Sequence, residues 1–268
     1  LSSAQYFFAS HPVFTAAEFQ ASSENRHQKS IDALLAYHCK AKHIIRIRRG
    51  LYASVPPAAD AETFVVDPFL VASKAALDAV LAYHSALSFH GLAYSSRQLL
   101  TYLTEHKDTT KFTFQGCSYI PVQFPSKLKR DGKHRDEVEE IDYRGGLVSI
   151  TSVERTFVDC FDKIDLSGGI EEVWASFDNL TYLRQNRLVE YATDLQNATT
   201  IAKVGFYLQR NQERLHVTND TLVALKRLKP KTMQYMFRSG PDRKGSLHAD
   251  WNLIIPDRIL DGSREEQY

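Results

Sequence analysis

The chain has 268 residues, 43% of them apolar, which is enough to bury a core and excludes wholesale disorder. Its 33 Lys and Arg against 32 Asp and Glu leave a formal net charge of +1. The chain as a whole is therefore not a polycation, and any nucleic-acid surface must come from local charge. Cys39, Cys117 and Cys160 are odd in number, far apart and without a CxxC, which argues against a disulfide framework and a zinc site and fits a reducing cytoplasm. No apolar run approaches the roughly 20 residues needed to span a bilayer. Residues 1–14 show no basic segment leading into an apolar one, so no signal peptide is expected, and a start at Leu1 suits a processed or trimmed end.

The first elements read as three helices and a hairpin. A short helix over residues 5–9 ends near His11-Pro12. Thr15 and Glu18 match a capping box and open a second helix through Phe19. Ser22 and Ser23 suit the N-cap of a third, whose Ile31, Leu34, Leu35 and His38 recur at helical spacing. In residues 44–53 Ile45 and Ile47 alternate with Arg46 and Arg48, as in a strand, and Gly50 suits a hairpin turn. Three helices followed by a basic hairpin is the order of a winged helix-turn-helix. Pro56-Pro57 then interrupts any helix or central strand. The expected organisation is a winged helix-turn-helix at residues 1–56, a linker at 57–66 and a larger α+β domain at 67–268.

Charge is concentrated in the first part. Residues 24–49 carry seven Lys and Arg against Glu24 and Asp32. Such a patch gains affinity by displacing counterions from phosphates. In this fold the start of the third helix enters the major groove, which predicts DNA contacts for Asn25, Arg26, Gln28, Lys29 and Ser30. Arg pairs with guanine, and Asn or Gln with adenine. Arg46, Arg48 and Arg49 on the hairpin are expected at phosphates or an adjacent minor groove. The plain alternative is a solvated helix face beside a charged hairpin.

In the larger domain, Asp67-Pro68 reads as a capped helix start. Residues 83–91 read as a helix ended by Gly91. Strand-like runs follow at 98–103, 111–114, 119–124 and 147–151, then a helix capped by Ser152, further helices over 170–228, and strands at 233–237 and 251–255. Helices and strands are segregated, which is α+β rather than alternating βαβ. A second basic region holds Lys226, Arg227, Lys229, Lys231, Arg238, Arg243 and Lys244 against Asp242. It is open to three readings: a second nucleic-acid surface, a docking surface for an acidic partner, or a solvated basic end.

No catalytic constellation stands out. His84 and His90 are six apart, about 120° around a helix, and no HExxH accompanies them. Arg155 and Asp159 stand four apart, as a local ion pair does. Gly168-Gly169 lacks the pattern of a phosphate loop, and no GxSxG surrounds Ser85 or Ser88. Glu105-x-Lys107 with Asp78 upstream has the spacing of some metal-dependent nucleases, without the usual Pro-Asp pair. The sequence thus predicts no catalytic residues, no metal site and no cofactor. The alternative is a metal-dependent defence nuclease targeted by a winged helix; a third reading is a pure protein-interaction module.

Several segments together resemble one family. They are Arg48-Arg49-Gly50-Leu51-Tyr52-Ala53, Asp67-Pro68-Phe69-Leu70-Val71-Ala72-Ser73, Tyr83-His84-Ser85-Ala86-Leu87-Ser88-Phe89-His90-Gly91, Thr151-Ser152-Val153-Glu154-Arg155-Thr156-Phe157-Val158-Asp159-Cys160, Leu166-Ser167-Gly168-Gly169-Ile170-Glu171-Glu172-Val173 and Lys203-Val204-Gly205-Phe206-Tyr207-Leu208. This order, across residues 12–210, resembles the AbiEi antitoxins, the transcriptional regulators of AbiE-type (type IV) toxin–antitoxin systems in bacterial phage defence (abortive infection). The resemblance implies a cytoplasmic, non-enzymatic autorepressor. Its winged helix would bind double-stranded DNA at inverted repeats in its own promoter, as a dimer or as cooperating monomers. Its larger domain would counter a nucleotidyltransferase-like toxin without needing a stable complex. The matching positions His84, Ser85, His90, Glu154, Arg155 and Asp159 are expected to build the fold or the antitoxic surface.

Overall fold

The structure is a computed structural model that describes residues 3–23, 27–237 and 245–260. It is α+β and divides into two compact units. One comprises Leu1–Phe89, Ser95–Phe124 and Val138–Thr151; the other comprises His90–Tyr94, Pro125–Glu137 and Ser152–Tyr268. The segment 57–66, read from sequence as a linker, therefore lies inside the first unit.

The first unit opens with α1 (Ser3–Ser10), β1 (Val13–Thr15), α2 (Ala16–Ser22), α3 (Gln28–Lys40), β2 (Ile44–Arg48) and β3 (Leu51–Ser54). The capping box forms as expected: the Glu18 amide donates to Thr15 Oγ1 at 3.2 Å, and the Thr15 amide to Glu18 Oε2 at 2.7 Å. Ser22 and Ser23 do not cap α3. Ser22 ends α2, its hydroxyl donating to the Phe19 carbonyl at 2.8 Å, and α3 starts at Gln28 after His27. The strands form an antiparallel sheet in the order β1-β3-β2. At three residues β1 is too short for its alternation to be read from sequence; its partner β3 makes it a strand, with Val13 opposite Ala53 and Thr15 opposite Leu51.

This small sheet is buried on both faces. Phe14 and Ile44 join Phe7, Phe8, Phe19, Ile31 and Leu35 under the three helices. Val13, Ile47, Leu51 and Ala53 face the other way, into a core shared with Leu70, Val71, Leu81, Tyr102, Tyr119 and Ile150. The register slips between Arg46 and Arg48 of β2. Such a bulge sends two successive side chains to the same side and breaks simple alternation.

The second core is roofed by α4 (Pro68–Ser73) and α5 (His84–Phe89) and floored by β4 (Val80–Leu81), β5 (Leu99–Thr104), β6 (Phe112–Phe114), β7 (Cys117–Gln123), β8 (Val138–Tyr143) and β9 (Gly146–Thr151). Asp67 caps α4 as expected, accepting from the amides of Phe69 at 2.9 Å and Leu70 at 3.3 Å. The sheet order is β6-β7-β5-β4-β9-β8, with β5 parallel to β7 and β4 parallel to β9. Two hairpins close on two-residue turns, Gln115-Gly116 (φ 44° and 79°) and Arg144-Gly145 (φ 50° and 78°). Both turn residues are left-handed, as the twist of a tight hairpin requires. Gln and Arg stand where Asn or Asp would have announced the turn, and β8 escapes a sequence reading for that reason.

The second unit holds α6 (Ser126–Arg130), α7 (Val153–Asp162), α8 (Ile170–Asp178), α9 (Gln185–Leu195), α10 (Ala198–Arg210) and α11 (Asn219–Leu228). A small sheet follows in the order β10-β12-β11, from β10 (Gln234–Tyr235), β11 (Ser246–His248) and β12 (Leu253–Ile255), and then α12 (Asp257–Leu260). Ser152 caps α7 as expected, accepting from the Arg155 amide at 3.2 Å. Aromatic rings fill this core, with Phe157, Phe161, Phe177 and Tyr207 in mutual contact. Trp251 is fully buried, and its indole N–H donates to Gln209 Oε1 at 2.7 Å. Its ring lies against α10 where Gly205 stands; a Cβ there would sit 2.2 Å from the ring.

Gly205→Ala is therefore expected to lose about 1–3 kcal/mol by overpacking, although alanine is the better helix former. Chemical denaturation would show it as a lower midpoint, accompanied by a shift in tryptophan emission. An unchanged midpoint would mean that Trp251 does not fix this seam.

Candidate nucleic-acid interface

The basic residues of the first unit separate into bound and open groups. α3 buries Ile31, Leu35 and His38 and exposes Lys29, Ser30, Asp32, Ala33, Ala36, Tyr37 and Lys40. Lys29 and Ser30 thus stand in solvent as expected. Gln28 begins the helix, while Asn25 and Arg26 lie outside the described residues. The far end of α3 is pinned by His38, packed edge-on to Phe8 and with Nδ1 3.0 Å from His43 Nδ1. Burial lowers the His38 pKa, and the neighbouring His43 ring lowers it further.

On the hairpin, Arg46 is exposed and lies opposite Tyr52 in the ladder. Its charge reaches Cys39 of α3 and Tyr52. Burial raises both groups, and Arg46 partly offsets that rise. Cys39 and the exposed Asp32 of α3 push Tyr52 the same way as burial, so Arg46 shares this flank with an acid. Arg49 is exposed in the turn, beside Gly50 at φ 80°.

Arg48 departs from the expected alternation. The bulge turns it to the side of Ile47, where its guanidinium hydrogen-bonds the Ala75 carbonyl and stacks over the Phe112 ring at 4.4 Å. It clamps the hairpin to the larger core instead of standing beside Arg46. Two ion pairs also tie charges of this segment: Lys74 to Glu18, and Lys42 to Glu62 at 2.5 Å. Burial by itself would raise the Glu18 carboxyl, but Lys74 and Thr15 hold it below its ordinary value.

The second basic region is partly consumed in the same way. Lys226 pairs with Asp250 at 2.8 Å and lies 5.6 Å from the centre of the Trp251 ring. Lys229 donates to the Asp250 carbonyl at 2.7 Å and the Ala249 carbonyl at 3.3 Å. Arg227 and Lys231 are exposed, and Arg238, Arg243 and Lys244 lie outside the described residues.

The residues tested for chemistry are also engaged. Asp78 accepts from Thr104 Oγ1 at 2.5 Å and from the Glu105 amide at 2.6 Å, with His106 Nε2 at 3.7 Å. Burial works against ionisation of Asp78, and these hydrogen bonds outweigh it, so its pKa is lowered. Glu105, His106 and Lys107 line a cleft of about 520 Å³ beside Arg48. Among the described residues no three His, Cys, Asp or Glu side chains gather as metal ligands.

His84 is buried, with Ser88 Oγ 3.3 Å from its Nδ1, and Ser85 Oγ accepts from the Thr101 amide at 2.6 Å. His90 and Glu154 line a cleft of about 280 Å³ with Tyr182 and Arg184. Glu154 accepts from the Arg184 amide at 2.8 Å and its guanidinium at 2.6 Å. Burial would raise the Glu154 pKa; Arg184 reverses the effect.

Arg155 is fully buried. It donates to the carbonyls of His134 at 2.8 Å and Asp136 at 2.7 Å and to Asp159 Oδ2 at 3.3 Å, over the Tyr191 ring. The Tyr191 hydroxyl donates to Asp159 Oδ1 at 2.6 Å. The expected local ion pair is therefore a hub that ties a loop and α9 to α7.

Arg48→Ala is expected to destabilise the fold by about 1–3 kcal/mol, through loss of a charged hydrogen bond and a ring contact. Arg49→Ala should change stability by no more than about 0.5 kcal/mol. Equal midpoints for both variants in urea would refute the clamp. Burial pushes the Asp159 carboxyl up to about 6, against the downward pull of Arg155 and Tyr191. The native state then holds a proton that the unfolded chain, at about 3.9, has released. This contribution to stability is present below about pH 4 and is lost as pH rises through about 6. Asp159→Asn is consequently expected to gain melting temperature relative to the parent between pH 4 and 7. A constant difference between the two across that range would show that the carboxyl titrates normally.

No known family profile matches the chain, and no curated protein matches it in sequence. Its fold is similar to that in the crystal structure of RV2827C protein from Mycobacterium tuberculosis, at 14% identity and a TM-score of 0.58 over 93% of this chain and 89% of that one. An identity this low speaks to fold alone. No helix of the described residues is long and apolar enough to cross a membrane. The chain is an α+β protein that shares its architecture with that mycobacterial protein over nearly its whole length.

Proposed function

We propose that this chain is a DNA-binding antitoxin of the AbiE type, a cytoplasmic repressor of its own operon that also counters a nucleotidyltransferase-like toxin. The observation that carries the DNA-binding part is the element order helix, strand, helix, helix, strand, strand with sheet order β1-β3-β2, which is the layout of a winged helix. It leaves the outer face of α3 in solvent, with Lys29 and Lys40 on it and Arg46 and Arg49 on the hairpin. In such folds this helix enters the major groove while cations on the wing meet phosphates. Local charge then does what a net charge of +1 cannot. The antitoxin part rests on the motif resemblance. It assigns no catalytic step and no cofactor, and it lets monomers cooperate, or a dimer form, on inverted repeats.

Fluorescence anisotropy on DNA from upstream of the gene, beside a scrambled duplex and across a salt series, tests the repressor reading. A preference of about 10³-fold is expected, a typical lower bound for specific sites. Equal, steeply salt-dependent binding to both duplexes would leave only a basic surface. Arg46→Ala with Arg49→Ala is expected to weaken binding to both duplexes and reduce the salt slope by about 0.9 per lost phosphate contact. The antitoxin reading predicts a nucleotidyltransferase-like gene beside this one and is checked by co-expressing the two. Rescue of growth supports it, and undiminished toxicity removes it. Incubation of DNA with the protein and Mg²⁺ or Mn²⁺ addresses the nuclease alternative, which metal-dependent cleavage lost in Glu105→Ala would revive.

A further inference from the structure

The sequence placed base recognition at the start of α3. The structure draws attention to the middle of the helix. At about 100° per residue, Ala33 lies directly opposite the buried line of Ile31, Leu35 and His38. Lys29 and Tyr37 flank it at about 40° on either side, and Lys40 lies about 20° away. All four are exposed. Tyr37 is 61% exposed, a large ring held in solvent at the centre of a charged face and touching His38 edge-on at 5.2 Å. Along the helix axis a methyl group and an aromatic ring thus stand between two lysines, an apolar stripe with cationic ends, and the exposed acid Asp32 is turned about 100° away from Ala33. Arg46, exposed on the hairpin opposite Tyr52, adds a third cation.

We propose that Ala33 and Tyr37 read thymine C5-methyl groups in the major groove, with Lys29, Lys40 and Arg46 holding the flanking phosphates. The inference rests on the DNA-binding reading and adds the chemistry of its specificity. Three features fit together. The cationic margins complement a polyanion and so select DNA as the occupant of this face. The stripe lies on one helix, the element that the major groove admits. Its apolar centre offers no bidentate donor–acceptor pair for guanine or adenine, whereas thymine presents a methyl group there, which apolar side chains recognise by contact. Lysines supply affinity without sequence information, and the stripe supplies discrimination.

The test uses the full chain and the upstream duplex with its thymines replaced one at a time by deoxyuridine, which removes only the methyl. At one or two positions per half-site the parent is expected to bind roughly three- to fivefold more weakly, the cost of exposing one buried methyl. Tyr37→Ala or Ala33→Gly should bind the natural duplex more weakly and lose sensitivity to deoxyuridine at the matching position. Both variants should keep the parental salt slope, since no phosphate contact is lost. Circular dichroism and the melting temperature verify that each variant is folded; Tyr37→Ser serves if Tyr37→Ala is not. Uniform tolerance of deoxyuridine by a parent that still prefers its own upstream DNA would overturn the methyl assignment and leave the repressor reading standing. The same deoxyuridine penalty in parent and variants would overturn the role of these two residues. Failure of the parent to prefer upstream over scrambled DNA would instead sink the reading on which the inference rests.

Discussion

The first unit depends on a three-stranded sheet that is apolar on both faces. One face receives the helices through Phe14 and Ile44, and the other continues into the larger core through Val13, Ile47, Leu51 and Ala53. A strand with both faces buried stores hydrophobic free energy twice, at about 25 cal/mol for each Å² taken from water. It also cannot slip register, since a one-residue shift would exchange the two sets of side chains. The helices of the first 54 residues are thereby built onto the body of the unit. The outer face of α3 is fixed by the burial of Ile31 and Leu35 on its inner face, so its lysines need no partner of their own to be oriented outward.

Charge in this protein is sorted by what the backbone permits. Arg48 stands next to Arg49 in sequence, yet a bulge puts one over an aromatic ring and leaves the other in a turn. Lys226 and Lys229 spend their charge on Asp250 and nearby carbonyls. Arg155, fully buried, is compensated by Asp159 and two backbone oxygens, as a cation removed from water must be. A count of basic residues therefore overstates the cationic surface of this chain. Among the described residues, the cations that remain on the candidate interface are Lys29, Lys40, Arg46 and Arg49, on one helix and one hairpin.

The second unit uses polar burial differently. Along α7 each ionisable side chain has a neighbour in the fold, although Glu154 also lines a cleft. Glu154 meets Arg184, and Asp159 meets Arg155 and Tyr191. Cys160 is enclosed, and burial raises its thiol well above the ordinary range, so it stays protonated and inert. These contacts account for the motif by packing.

Much of this was written locally and could be read locally. Thr15 with Glu18, Asp67 with Pro68, and Ser152 each fixed a helix start, because a cap needs only residues within one turn. The α+β class and the separation of a basic segment in an otherwise neutral chain were legible for the same reason. What the sequence could not determine was every feature that requires a partner distant along the chain. β1 exists because β3 pairs with it, and β4 because Leu81 lies between Tyr102 and Ile150. α3 starts at Gln28 after His27, not behind Ser22 or Ser23, although both serines are good local caps. Arg48 looked like a twin of Arg46 because alternation is the default of a strand. Only the ladder with β3, which opposes Leu51 to Arg48 after one slipped residue, turned it inward. Propensity, capping and charge act within a few residues and belong to the sequence; register, burial on two faces and the pairing of charges act across tens of residues and were decided by the tertiary structure.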